Sequence, residues 1–227
     1  MAYLNQIEIR ESNTTYNNQR DWSFRTTAHH VCELMLHFLP RNYVLDGSAK
    51  FSAIFGPKLN DDLLHSTVLG VTSYCIEDFD VADYMTLAIE EQQEYILTVL
   101  TDAMMVAAKS IGNSSIIQRA ADSIRANGYA AEIAVLKLSR FSRDRKLRVD
   151  VFRCLGPQIG ETWEARISKP DFSLVAVDLI TKSPAYLDRR THFSKSQWSG
   201  NTFQIVNNRL QKVVYNLDIS IFIRQGQ

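Results

Sequence analysis

The sequence has no excess of either charge, no paired cysteines and no long apolar run. Its 227 residues carry 25 Lys and Arg against 25 Asp and Glu, so the formal net charge is zero. A general nucleic-acid binder needs a broad cationic field to release counterions from phosphate, and a polybasic membrane binder needs one at the lipid surface. Neither describes this chain as a whole, so nucleic acid is an unlikely partner and a membrane is not expected to be one. Cys32, Cys75 and Cys154 are odd in number and widely spaced, with no C-x-x-C. That is the usage of a reducing compartment, where cysteine serves mostly as a small buried hydrophobe. No apolar stretch approaches the roughly 18 residues of a spanning helix. The first residues, MAYLNQIEIRE, lack the cationic and then apolar order of a signal peptide. The expectation is a soluble, cytoplasmic protein.

Also absent are internal repeats, low-complexity tracts and Pro/Gly-rich linkers. The chain therefore reads as one domain over 1–227, with sub-lobes at 1–85, 86–128 and 129–227 if it divides at all. With 45% hydrophobic and 22% charged residues it can fill an ordinary core. No G-x-S-x-G, P-loop, G-x-G-x-x-G or H-x-E with C-x-x-C occurs, so no catalytic residue, metal ligand set or cofactor is assigned.

What is present is a change of period. Strand patterns are read at 3–11, 50–56 and 67–79, after an Asn- and Thr-rich loop at 12–21 and an ambiguous segment, AHHVCELMLHFLP (28–40). In that segment Val31, Leu34, Met35 and Phe38 share a helical face, whereas Cys32, Leu34, Leu36 and Phe38 alternate as in a strand. The longer alternation favours a strand. From Thr86 the apolar residues recur at helical spacing: Ile96, Leu100, Ala103, Ala107 and Ile111, broadened by Leu97, Met104 and Ala108. This predicts a helix over about 86–111, capped by Thr86 and stopped by Gly112-Asn113, and a second over 114–127, capped by Ser114 or Ser115 and ended by Asn127-Gly128. Strand patterns return at 132–141, 146–156, 161–168, 172–182, 202–208 and 210–223. The fold class predicted is α+β, with N-terminal and C-terminal antiparallel meanders around two central consecutive helices.

Four features bear on function. His29, Glu33 and His37 are spaced four apart and would line up on a helix, which invites a metal-dependent hydrolase. The zincin arrangement is missing, however, and on a strand the three merely share a polar face. None of the cysteines sits in a motif that would activate it. The stretch 137–153 holds seven basic residues against two acids. Arg140, Arg143, Arg145, Lys146 and Arg148 would cluster near the turn of a hairpin, with Lys137 and Arg153 on its arms. Interleaved Phe141 and Phe152 admit a nucleic-acid or assembly adaptor, although a solvated hairpin face is the plainer reading. The fourth feature is EDFDVADYMTLAIEEQQE (77–94), with seven carboxylates and no Lys or Arg. Glu90, Glu91 and Glu94 suit a helix N-terminus. Glu77, Asp78, Asp80 and Asp83 exceed what capping needs and form a candidate contact surface for a basic partner.

The stretch IEDFDVADYMTLAIEEQQEYILTVLTDAMMVAAKSIG (76–112) resembles bacterial immunity proteins of polymorphic toxin systems, of the Rhs and contact-dependent-inhibition type. In these a strand ending in an acidic-aromatic cluster leads through a Y-x-x-L turn into a helix of the type EE-x-x-x-YIL-x-x-L-x-x-A. Here those residues are Phe79, Tyr84, Leu87, Glu90, Glu91, Tyr95, Ile96, Leu97, Leu100 and Ala103. QWSGNTFQIVNNRLQKVVYNLDI (197–219) is similar to the closing hairpin of such proteins. Together the two stretches cover about half the chain. The resemblance implies an inhibitor without catalytic residues that binds a cognate toxin domain and blocks its active surface. The contact residues expected on that reading are Glu77, Asp78, Asp80 and Asp83, or Arg140, Arg143, Arg145, Lys146 and Arg148.

Overall fold

A computed structural model describes residues 2–12, 22–56, 65–108, 114–156, 160–184 and 189–224. Among them are five helices and twelve strands, and most strand pairings are antiparallel, so the fold is α+β. The loop read at 12–21 (Ser12 apart), the segment 57–64 and the helix stop at Gly112-Asn113 lie outside the described residues. No described helix is long and apolar enough to cross a membrane. The chain packs as two compact units, Met1–Ala130 with Pro157–Gly160, and Ala131–Gly156 with Glu161–Gln227.

The first unit opens with β1 (Gln6–Glu11), α1 (Trp22–Phe38) and β2 (Lys50–Phe55), followed by β3 (His65–Val68) and β4 (Val71–Ile76). The sheet order is β1-β2-β4-β3. Both β1–β2 and β2–β4 are parallel, and only β3–β4 is antiparallel. Here the N-terminal meander expected from the sequence is corrected, and so is the strand expected at 28–40, for one and the same reason. Parallel neighbours need a crossover, and α1 supplies it. Ala28, Val31, Leu34 and Met35 form its inner stripe, with Leu39 buried just past its end, but His30, Cys32 and Glu33 are buried as well. A helix covered on most sides loses the polar face that would mark its period. The strand expected over 67–79 is also two elements. Leu69 and Gly70 both take positive φ, 50° and 76°, and close a tight hairpin between β3 and β4.

After this sheet come α2 (Val81–Thr86), α3 (Ile89–Ala108) and α4 (Ser114–Ala126). The predicted pair of central helices corresponds to α3 and α4. Every described residue of the predicted α3 stripe is buried. Ser114 and Ser115, read as the cap of α4, are its first two residues. Its C-terminus closes as predicted. The Gly128 N–H donates to the Arg125 carbonyl (3.0 Å) and the Tyr129 N–H to the Ile124 carbonyl (3.1 Å), with Gly128 at φ 59°. This is a Schellman closure.

The second unit contains β5 (Ala131–Ala134), β6 (Arg140–Phe141), β7 (Arg148–Leu155), β8 (Glu161–Ser168) and β9 (Leu174–Leu179) in one antiparallel sheet. A second antiparallel sheet holds β10 (Lys195–Ser199), β11 (Thr202–Asn207) and β12 (Lys212–Asp218), followed by the short α5 (Ser220–Arg224). Residues of β7, β8 and β11 are buried at every second position. Val149, Val151, Trp163, Ala165 and Ile167 meet Phe203, Ile205, Tyr215 and Leu217 in a shared core.

One charged pair interrupts that core. Arg153 lies on the inward face of β7 and Glu161 on that of β8, with side chains 4% and 0% exposed. The Arg153 Nε donates to Glu161 Oε2 at 2.6 Å, while Trp163 Nε1 and the Arg189 backbone N–H donate to Oε1 at 2.9 and 2.7 Å. Removing one partner would strand a buried charge, which costs about 3–5 kcal/mol. Arg153→Met and Glu161→Leu should each show that loss in urea unfolding followed by Trp fluorescence. The double substitution should recover most of it, because desolvation of both ions is then avoided.

Candidate functional site

The acidic stretch resolves into separate tasks. Beyond β4 the chain turns at Asp80, whose carboxylate accepts the N–H groups of Ala82 (2.7 Å) and Asp83 (3.3 Å) and so caps α2. Thr86 ends α2 instead of capping α3; its hydroxyl donates to the Asp83 carbonyl at 2.7 Å. The start of α3 is closed by Glu91, whose Oε2 accepts the Ala88 N–H at 2.9 Å. This is the return half of a capping box. Buried Gln92 then reaches back, donating from Nε2 to the carbonyls of Tyr84 (3.2 Å) and Leu87 (3.1 Å) at the end of α2. The corner is thus held at both ends of α2.

Glu94 belongs to a different contact. It receives Arg125 Nη2 at 2.7 Å and the Tyr129 hydroxyl, which ties α3 to the end of α4. The hydrogen bonds from Arg125 pull its carboxyl from the ordinary 4.5 down to about 2, and those from Tyr129 and Thr98 reinforce this against the cost of burial. Asp80, Glu91 and Glu94 thus accept hydrogen bonds within the fold, and Glu77 is engaged there as well.

Asp78, Asp80 and Asp83 border a cavity of about 500 Å³ whose lining is completed by Phe79, Tyr84, Leu87 and Tyr95. The rings of Phe79, Tyr84 and Tyr95 lean together, with centroids 5.6 Å (Phe79–Tyr84), 5.8 Å (Phe79–Tyr95) and 6.1 Å (Tyr84–Tyr95) apart. Phe79 also stands edge-on to Phe55 of β2 at 4.7 Å, which anchors the group to the sheet. Burial raises the Tyr95 hydroxyl pKa, and the charge of Asp78 adds to that rise. Among the described residues no hydrogen bond or ion pair engages the carboxylate of Asp78 or Asp83. The structure therefore brings Asp78, Asp80 and Asp83 around one cavity, while Glu77 precedes it on the chain and is not part of the lining. The rings of Phe79, Tyr84 and Tyr95 come from three separate segments, and their shared role has no signature in spacing.

The basic candidates lie in the second unit. Arg140 is on β6, Arg143, Arg145 and Lys146 are exposed in the turn that follows, and Arg148 opens β7. Asp144 organises the turn by accepting from the Ser142 hydroxyl (2.7 Å) and the Lys146 N–H (3.1 Å). Arg148 pairs with Asp150 at 2.8 Å and lies over Phe141 and Phe172, 5.2 and 5.9 Å from their centroids. Arg153 does not join this surface, since it is the buried partner of Glu161.

His29, Glu33 and His37 do lie on a helix, but they are not among the described donor groups close enough to share an ion. The described group that is close enough is Glu132, Cys154 and Glu164, with donor atoms within 4.8 Å of one another. Arg166 already bridges both carboxylates and lies 4.1 Å from the Phe152 ring centroid. Burial, followed by those carboxylates, pushes the Cys154 thiol up to about 12. A resident arginine and a protonated thiol leave this cluster structural.

Compared with family models, with curated proteins and with solved structures, the chain matches none.

Two outcomes follow from this geometry. Asp80→Ala removes the α2 cap and should cost about 1 kcal/mol, with faster amide exchange confined to 82–87. Glu94 has a lowered pKa in the fold, so its stabilising effect is complete above the ordinary 4.5 and disappears as pH falls through about 2. Thermal midpoints between those values should decline more steeply for the native chain than for Glu94→Gln.

Proposed function

We propose that the protein is an inhibitor of the immunity type, which neutralises a cognate bacterial toxin domain by occupying its active surface. The observation that carries this reading is the concave, carboxylate-bordered cavity on a corner braced at both ends of α2. An inhibitor gains affinity from surface that needs no ordering at the moment of binding. The Asp80 cap, the Glu91 closure and the Gln92 bridge provide that pre-organisation. The similarity of 76–112 to immunity proteins supports the same reading, because the cavity falls within that stretch. Arg148 with Phe141 (45% exposed) and Phe172 (73% exposed) has the arginine-aromatic composition of interface hot spots and would be a second contact.

The test starts at the neighbouring gene, where this reading expects a large toxin immediately upstream, and takes that toxin's variable C-terminal domain as the partner. Co-expression should protect cells from that domain, and the two should co-purify as a stable complex. Absence of both protection and complex would overturn the reading. Within such a complex, Asp78→Lys with Asp83→Lys should slow association by about tenfold at low ionic strength, and the difference should shrink as salt is raised. An unchanged on-rate and affinity would remove the acidic corner from the interface.

A further inference from the structure

The lining of the cavity narrows the chemistry of what enters it. Four of the seven lining residues, Phe79, Tyr84, Leu87 and Tyr95, are aromatic or aliphatic, with Tyr84 itself buried, and the other three are aspartates. Asp80 is committed to the α2 cap, which leaves Asp78 and Asp83 with acceptor capacity beside the rings. No Lys or Arg occurs anywhere in 77–94 to neutralise them locally. The cavity therefore favours a cation, and one that tolerates dehydration against an aromatic surface.

That requirement separates the candidate cations. A divalent metal ion needs several oxygen ligands converging on one point, and Asp78, Asp80 and Asp83 are not among the described groups whose donor atoms come close enough to share one. An ammonium group is compact and strongly hydrated, so contact with the rings costs it solvation. A guanidinium is planar and weakly hydrated, stacks on ring faces, and presents its N–H donors as a fork that matches carboxylates. The cavity of about 500 Å³ also has room for the aliphatic stem behind the charged head. From this geometry we infer that the cavity is a receptacle for an arginine side chain projecting from the partner protein. The inference rests on the inhibitor reading for the source of that arginine. The chemistry of the receptacle itself does not.

The probe is N-acetyl-arginine N-methylamide, titrated into the isotopically labelled full chain and followed by amide and aromatic NMR shifts. Saturable shifts centred on Asp78–Leu87 and Tyr95 are expected, with a midpoint of order millimolar, as befits one side chain without its protein. The lysine analogue should bind at least about threefold more weakly, and the uncharged citrulline analogue should not saturate. Asp78→Asn with Asp83→Asn should weaken the arginine midpoint about tenfold or more, whereas Tyr95→Phe, which keeps the ring, should stay within about threefold. Circular dichroism establishes that each variant is folded. If the double variant does not fold, the salt dependence of the native titration replaces it, and a midpoint indifferent to ionic strength overturns the inference. It is equally overturned by absent saturation, by equal binding of the citrulline or lysine analogue, or by shifts that ignore the two aspartates. The two proposals fail separately. Arginine binding without any complex with the toxin domain would overturn the inhibitor reading alone. A toxin complex unaffected by the aspartate substitutions, with no arginine titration, would overturn the receptacle alone.

Discussion

The carboxylate of Asp80 accepts the N–H groups of Ala82 and Asp83, and the arrangement of the candidate site descends from that contact. Between β4 and α3 the chain must reverse from an extended strand into a helix packed behind the sheet. An uncapped turn there would leave several backbone donors exposed and the corner free to fray. With Asp80 in place, one short helix turns the chain, and Tyr84 on it becomes buried against Phe79 and Tyr95. Gln92 then ties the carbonyl end of that helix to α3. The backbone that carries the aromatic group is held by hydrogen bonds from Asp80 and Gln92, which are short-range and directional. A site built this way has little conformational entropy to lose on binding.

The second unit solves a different problem with the same means. A buried arginine and glutamate would be costly as bare charges, so Glu161 is surrounded by donors from Arg153, Trp163 and the Arg189 backbone. Those donors come from β7, β8 and the segment entering β10, so satisfying one carboxylate positions three parts of the chain. Glu94, with Arg125 and Tyr129, does the same between α3 and α4 in the first unit. Outside the core, Arg166 of β8 holds Glu164 on its own strand and Glu132 on β5, two strands away. Much of the charge in this neutral chain is thus internal architecture.

That division explains what the sequence made legible. The α3 stripe could be read because α3 is buried on one side and polar on the other, so its period survives in the residues. The same holds for β7, β8 and β11, where alternation is nearly perfect. α1 was not legible because burial of His30, Cys32 and Glu33 together with its apolar stripe erased the contrast. Gly70 inside an apparent strand was a usable sign of the β3–β4 hairpin, since a strand interior seldom tolerates glycine. Arg153 was legible too: counting alternately from Val149 through Val151 places it inward, away from the basic hairpin. The cavity was not. Its acidic residues stood out by composition, but Phe79, Tyr84 and Tyr95 have the spacing of ordinary core residues. Only the bend at Asp80 brings them together.

Charge of both signs in one neutral chain sets how a partner would be told apart. Fields from exposed charges are screened within about 8 Å at physiological ionic strength, so a distant partner experiences little net potential. Selection among equally basic partners then cannot come from total charge. It has to come from contact, where a particular cation either fits between the rings and the carboxylates or does not. A partner whose positive group is misplaced would bury Asp78 and Asp83 without a counter-ion, and that penalty is larger than the gain from a correct match in water. Exposed carboxylates beside an aromatic group would therefore discriminate mainly by what their burial makes costly, the property that the proposed inhibitor would require.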